Sequence, residues 1–207
     1  MSSMPTLIRF QHCSDTPVFC RQVPKDCPVC GHSLATLELE PVLVPCPLVN
    51  AVHHPCSLVV RCSKGSFLDE YHALDDLHIG ITDSCGVVFE YDACGLVKND
   101  NINWQECAAI SVIPDSWETY WDEILVDMLN DPMWQSKNYD DAKFNCFNFV
   151  TSFLEKLKFK DLQFLNKEEL CEAFILPKIQ TILKYAIIYK HLKNQDFFMQ
   201  DRADQLH

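Results

Sequence analysis

Asp76-Leu-His-Ile-Gly-Ile-Thr82 reads as a β-strand that carries a histidine, and its partner run Val87-Val-Phe-Glu-Tyr91 follows after the turn Asp83-Ser-Cys-Gly86. Both runs are rich in β-branched and aromatic residues, and the turn residues between them make a hairpin. A second stretch, Lys143-Phe-Asn-Cys-Phe-Asn-Phe-Val150, opens a helix. Its Cys146 lies 68 positions after His78. A strand fixes the direction of an imidazole, and a helix start favours negative charge through its unpaired N–H groups. Together the two stretches predict a thiol–imidazole pair, with histidine first in the chain and cysteine second.

Around this centre the chain changes character twice. Residues 1–62 are rich in cysteine and proline. Short strands are expected at Leu7–Gln11 and Val18–Val23, joined by the turn Ser14-Asp-Thr-Pro17, with further strands at Leu34–Leu39 and Ser57–Arg61. Another strand is expected within Trp104–Ile113. From Ser116 the apolar spacing becomes helical: Trp117, Trp121, Ile124, Leu125 and Met128 recur at threes and fours, and Asp131-Pro132 ends that helix. Cys146, Phe149, Val150, Phe153, Leu154 and Leu157 form one face of the next. A short helix over Lys167–Phe174 and a last one with Pro177 in its first turn complete the chain.

The bulk numbers bound the function. A chain of 207 residues with 48% hydrophobic content can build a sizeable core. A net charge of −12 disfavours nucleic acid and anionic lipid as partners. No run approaches the 18 apolar residues of a membrane span, and the first ten residues lack the apolar core of a signal peptide. Twelve cysteines without a secretory signal point to a reducing compartment, the cytosol with the nucleus left open.

In the thiol–imidazole pair Cys146 is the nucleophile and His78 the base. A free thiol of pKa about 8.5 is only a few per cent ionised at neutral pH, and an adjacent imidazolium raises that fraction. Glu90 is the candidate to orient the ring. The hairpin register decides it: a two-residue loop at Ser84-Cys85 would set Tyr91 opposite His78 and turn Glu90 away. Asn145 is a candidate helix cap. Against this stands the ordinary role of a cysteine on an apolar helix stripe, which is to pack in a core.

Cys27-Pro-Val-Cys30 has the spacing of a zinc knuckle, and His53-His-Pro-Cys56 offers a second ligand pair after 22 intervening residues. Cys27, Cys30, His53 and Cys56 make a Cys₃His set for a structural Zn²⁺, with His54, His12 and Cys13 as spare ligands.

Asp76-Leu-His-Ile-Gly-Ile, Gly86-Val-Val-Phe-Glu-Tyr and Asn145-Cys-Phe-Asn-Phe-Val resemble the histidine strand, following strand and Asn-Cys helix start of the circularly permuted papain-like proteins. These include the deSUMOylating isopeptidases of the PPPDE group and the lecithin retinol acyltransferase group. The acyltransferases carry a second histidine twelve residues after the first; here Glu90 stands there. Over most of its length the chain also resembles the makorin-2 opposite-strand family, through Leu7-Ile-Arg-Phe-Gln-His-Cys13, Cys27-Pro-Val-Cys30, the histidine strand and Asn145-Cys146. The resemblance to the permuted papain-like proteins implies an α+β fold of that (NlpC/P60) type, expected over residues 63–207, and the cysteine cluster ending near 62 marks a zinc-ribbon-like module over 1–62 before it. The resemblance also implies a cysteine hydrolase, isopeptidase or acyltransferase acting on a modifier tail or lipid ester. A non-catalytic zinc-stabilised binding protein of the same fold is the other expectation.

Overall fold

The computed structural model describes residues 6–35, 39–72, 75–98, 102–114 and 117–199. They form a mixed α/β chain with two antiparallel sheets, divided into a first unit (residues up to Pro47 and from Ile182 onward) and a second unit, Leu48–Thr181.

In the first unit β1 (Leu7–Phe10), β2 (Val18–Cys20) and β3 (Val42–Val44) are joined by β9 (Phe197–Met199) in the order β3-β1-β2-β9. Phe10, Val18, Cys20, Cys27 and Leu34 are its buried cluster, a small core for one sheet. The strand expected at Leu34–Leu39 crosses 36–38, which lie outside the described residues.

The second unit holds the five-stranded sheet β7-β6-β5-β4-β8, made of β4 (Ser57–Cys62), β5 (Leu77–Thr82), β6 (Val88–Asp92), β7 (Gly95–Lys98) and β8 (Ala108–Ser111). Cys62 is the last residue of β4, a strand held between β5 and β8, so the polypeptide at residue 62 belongs to the middle of this sheet. Helices α1 (Glu118–Leu129), α2 (Cys146–Leu157) and α3 (Lys167–Leu170) follow, and a π-helical turn at Cys171–Ile175 leads into α4 (Leu176–Asn194). The last two expected helices are thus one continuous helical run from Lys167.

The β5–β6 hairpin sets the register on which the site depends. Asp83 closes it with its side chain: Oδ1 accepts from the amides of Cys85 and Val87, and the Asp83 amide donates to the Val87 carbonyl. This side-chain turn holds the loop wider than two residues. Gly86, at φ +78°, supplies the left-handed residue within it. Gly80 consequently pairs with Glu90, and Arg61 of β4 pairs with His78. Residues two apart on a strand share a face. His78, Gly80, Glu90 and Arg61 therefore occupy one side of the sheet.

Helix α2 packs on β5 and β6 through Phe149, Val150, Phe153, Leu154 and Leu157, all fully buried. Trp121 of α1 lies edge-on to Phe153 at 4.6 Å and donates its indole N–H to the Thr82 carbonyl. Among the described residues no helix is long and apolar enough to cross a membrane.

Candidate functional site

His78, Glu90 and Cys146 come together at one end of the second unit. His78 Nε2 donates to Glu90 Oε2 at 3.0 Å. Cys146 stands beside the same imidazole, close enough to raise its basicity, and both side chains line one cleft. All three side chains are nearly closed off: His78 is 7% exposed, Cys146 4% and Glu90 3%. The register question is thereby answered in favour of Glu90.

Two further members, which the sequence reading did not single out, come from β4 and from the short 3₁₀ helix Ile102–Trp104. Trp104 Nε1 donates to Glu90 Oε2 at 3.2 Å. The Arg61 guanidinium stands 3.7 Å from the same oxygen and 5.1 Å above the Trp104 ring. Arg61 Nη1 also donates to the Cys62 carbonyl. One carboxylate oxygen thus gathers an imidazole, an indole and a guanidinium. An indole N–H buried in a strand-rich segment must find an acceptor, and that requirement was the available sequence signal for Trp104.

Gly80 makes room for this cluster. A Cβ there would sit 2.9 Å from the Phe89 carbonyl oxygen, 3.0 Å from Val88 Cγ1 and 3.2 Å from Trp104 Cζ2. Gly80→Ala is expected to destabilise the protein by about 1–3 kcal/mol, the usual range for overpacking. It should also displace Trp104, read as a change in tryptophan fluorescence. An unchanged urea midpoint and spectrum would contradict that expectation.

The start of α2 is held from both sides. Asn145 Oδ1 accepts from the Phe147 amide, and the Asn145 amide donates to Asn148 Oδ1, forming a capping box. Asn145 Nδ2 donates to the Asp141 carbonyl at 2.6 Å, which fixes the cap to the preceding loop. Asn145 is therefore the helix cap. That loop is itself anchored by ring contacts of Tyr91 with Trp134, Tyr139 and Phe144. The cap leaves the first helical amide, that of Cys146, without an acceptor among the described residues.

A cleft of about 500 Å³ opens on the constellation, lined by Arg61, His78, Tyr139, Asp141, Cys146 and Lys167 among others. Burial pushes the His78 imidazole toward neutrality, but its hydrogen bonds to Cys146 and Glu90 outweigh that and raise it from 6.5 to about 9, against opposition from Arg61. The ring is therefore an imidazolium at neutral pH. Tyr139 is held above the usual phenol range by burial, by its hydrogen bond to Asp141 and by the Cys146 charge.

The expected metal ligands are divided. Cys27 and Cys30 gather with His12 and Cys13 in the first unit; these four can hold a metal ion, all ligand atoms lying within 4.8 Å of one another. His53 and Cys56 belong to the second unit, His53 in the short 3₁₀ helix Ala51–His53 and Cys56 just ahead of β4. The spacing of two short pairs suggested the set Cys27, Cys30, His53 and Cys56. The structure instead brings the β1–β2 turn to the knuckle.

The molecule is thus a mixed α/β protein with a buried Cys–His–Glu constellation and a separate Cys/His cluster. The DUF4796 C-terminal model matches residues 41–192 and the DUF4796 N-terminal model residues 5–34. The chain is also similar to the human MKRN2 opposite strand protein, 32% identical over 205 residues that cover 96% of this chain and 91% of that one. The chain belongs to the DUF4796 family. No solved structure matches it.

Proposed function

We propose that the second unit is a thiol hydrolase or acyltransferase of permuted papain-like architecture, with Cys146 as nucleophile, His78 as base and acid, and Glu90 as the orienting carboxylate. The observation that supports this is the imidazole between two partners: His78 gives Nε2 to Glu90, and Cys146 lines the same cleft beside it. The chain order of histidine strand, hairpin and cysteine helix supports the permuted architecture.

Cys146 Sγ attacks the substrate carbonyl as its proton rests on His78. The developing oxyanion faces the Cys146 amide at the helix start, a donor worth roughly 3 kcal/mol when well placed. His78 then returns the proton to the departing amine or alcohol, leaving an acyl thioester. Water attacks the thioester with His78 as base. A modifier tail linked through an isopeptide fits this chemistry, as does a lipid ester. The net charge of −12 favours a basic protein partner over an anionic membrane surface, and the protein is placed in the cytosol or nucleus. A structural Zn²⁺ in the Cys/His cluster of the first unit belongs to the same proposal.

The test is capture of the acyl-enzyme. A ubiquitin-like tail peptide ending in an electrophilic warhead should form one adduct, mapped by mass spectrometry to Cys146 and missing from Cys146→Ser. Adducts spread over the exposed thiols Cys13, Cys85 and Cys94, with none on Cys146, would defeat it. A second function, a non-catalytic binding protein of this fold, is favoured by one observation, the 4% exposure of Cys146. In that case the warhead leaves Cys146 untouched while the cleft still holds its partner.

A further inference from the structure

We infer that His12, Cys13, Cys27 and Cys30 form a closed tetrahedral Zn²⁺ centre that staples the β1–β2 hairpin to the following knuckle, independently of His53 and Cys56. This specifies the ligands of the Zn²⁺ named above and rests on that part of the proposal.

The spacing of the donor atoms is that of a metal shell. Cys13 Sγ lies 3.8 Å from Cys27 Sγ, and Cys30 Sγ lies 3.4 Å from His12 Nδ1. Zinc–sulfur bonds of about 2.3 Å and zinc–nitrogen bonds of about 2.0–2.1 Å at tetrahedral angles require sulfur–sulfur separations of about 3.8 Å and sulfur–nitrogen separations of about 3.5 Å. Hydrophobic packing offers no competing reason for this convergence, because the His12 and Cys13 side chains are exposed.

The backbone of the knuckle is tightly folded. The Gly31 amide donates to the Cys27 carbonyl at 2.8 Å and the Cys27 amide to the His32 carbonyl at 2.7 Å, with Gly31 at φ +74°. This folds Cys-Pro-Val-Cys-Gly into a tight loop that keeps both cysteine sulfurs in one cluster with His12 and Cys13. The first unit also needs a staple. The strands on either side of His12 and Cys13, β1 and β2, are only four and three residues long, and a metal would add folding free energy to so short a hairpin.

Three thiolates and one neutral imidazole fill all four positions of Zn²⁺. No position remains for water, so the centre is structural rather than hydrolytic. Its ligands are separate from Cys146 and His78, and its loss is read separately from theirs.

The experiment is metal analysis of the full chain purified without chelator, with Co²⁺ exchange as a second readout. One zinc per chain is expected, and the Co²⁺ form should show thiolate charge-transfer bands and the intense d–d bands of a tetrahedral Cys₃His site. Cys13→Ser and His12→Ala should lose zinc or bind it at least tenfold more weakly, whereas His53→Ala and Cys56→Ser should retain it. The unsubstituted Co²⁺ protein keeps the inference testable if the Cys13 variant fails to fold, because an octahedral spectrum would overturn it. Zinc lost from the His53 and Cys56 variants but kept in the His12 and Cys13 variants overturns this ligand set and preserves the zinc. A chain that binds no zinc overturns both.

Discussion

His78→Ala is expected to slow alkylation of Cys146 by iodoacetamide at about pH 6 by roughly 100-fold or more. A thiol with the ordinary pKa of about 8.5 is only some 0.3% ionised there. In the native protein the imidazolium beside it makes the ion pair the reactive state. Because His78 is raised to about 9, that imidazolium persists through neutrality. The native rate at about pH 6 should therefore exceed that of the variant, whose rate climbs about tenfold per pH unit as an ordinary thiol does. Stability carries the same signature. A folded-state pKa above the unfolded one adds stability that is complete below the unfolded value, here 6.5, and is lost as the pH rises through about 9. The stability advantage of the native chain over His78→Gln, a few kcal/mol at its largest, should shrink across that window. Equal alkylation rates in the native chain and His78→Ala would end the catalytic proposal.

How much of this could be seen in the sequence depends on whether an interaction is local. The histidine strand and the cysteine helix were legible because each is specified by neighbours, the first by β-branched residues and a turn, the second by an apolar stripe behind an Asn cap. Glu90 was legible as a residue type but not as a neighbour of His78. That required knowing that Asp83 would accept from two amides and widen the loop, a choice between turn forms that composition does not make. Arg61 was hidden because it reaches Glu90 only through strand pairing across the sheet, and Trp104 because it arrives from the short 3₁₀ helix Ile102–Trp104 ahead of β8. β9 was missed for a related reason: three residues carry no usable periodicity, and only pairing with Val18–Cys20 makes them a strand. The metal ligands show the limit of spacing arguments. Cys27 and Cys30 do gather, but the groups beside them, His12 and Cys13, are set by where the β1–β2 hairpin turns.

Glu90→Ala should destabilise the protein by about 3–5 kcal/mol, the cost of removing one partner from a buried ionic cluster. The loss is large because three groups depend on one oxygen. Without Glu90, the Arg61 guanidinium, already holding a buried Nε with no partner among the described residues, loses its nearby counter-charge. The Trp104 indole and His78 Nε2 lose their acceptor at the same time. Adding Arg61→Met should recover part of the loss, because it removes the stranded cation while keeping apolar contact with Trp104. Urea unfolding of the two single variants and the double variant measures this coupling, and additive losses would show that Arg61 and Glu90 act separately. The titration of His78, followed by the NMR shifts of its ring, separates positioning from mere support. Glu90 helps hold the imidazole charged and Arg61 opposes it. Glu90→Gln should therefore lower the midpoint from about 9, and Arg61→Met should raise it. A cluster that serves only to pack would lose stability in both variants without moving the midpoint in opposite directions.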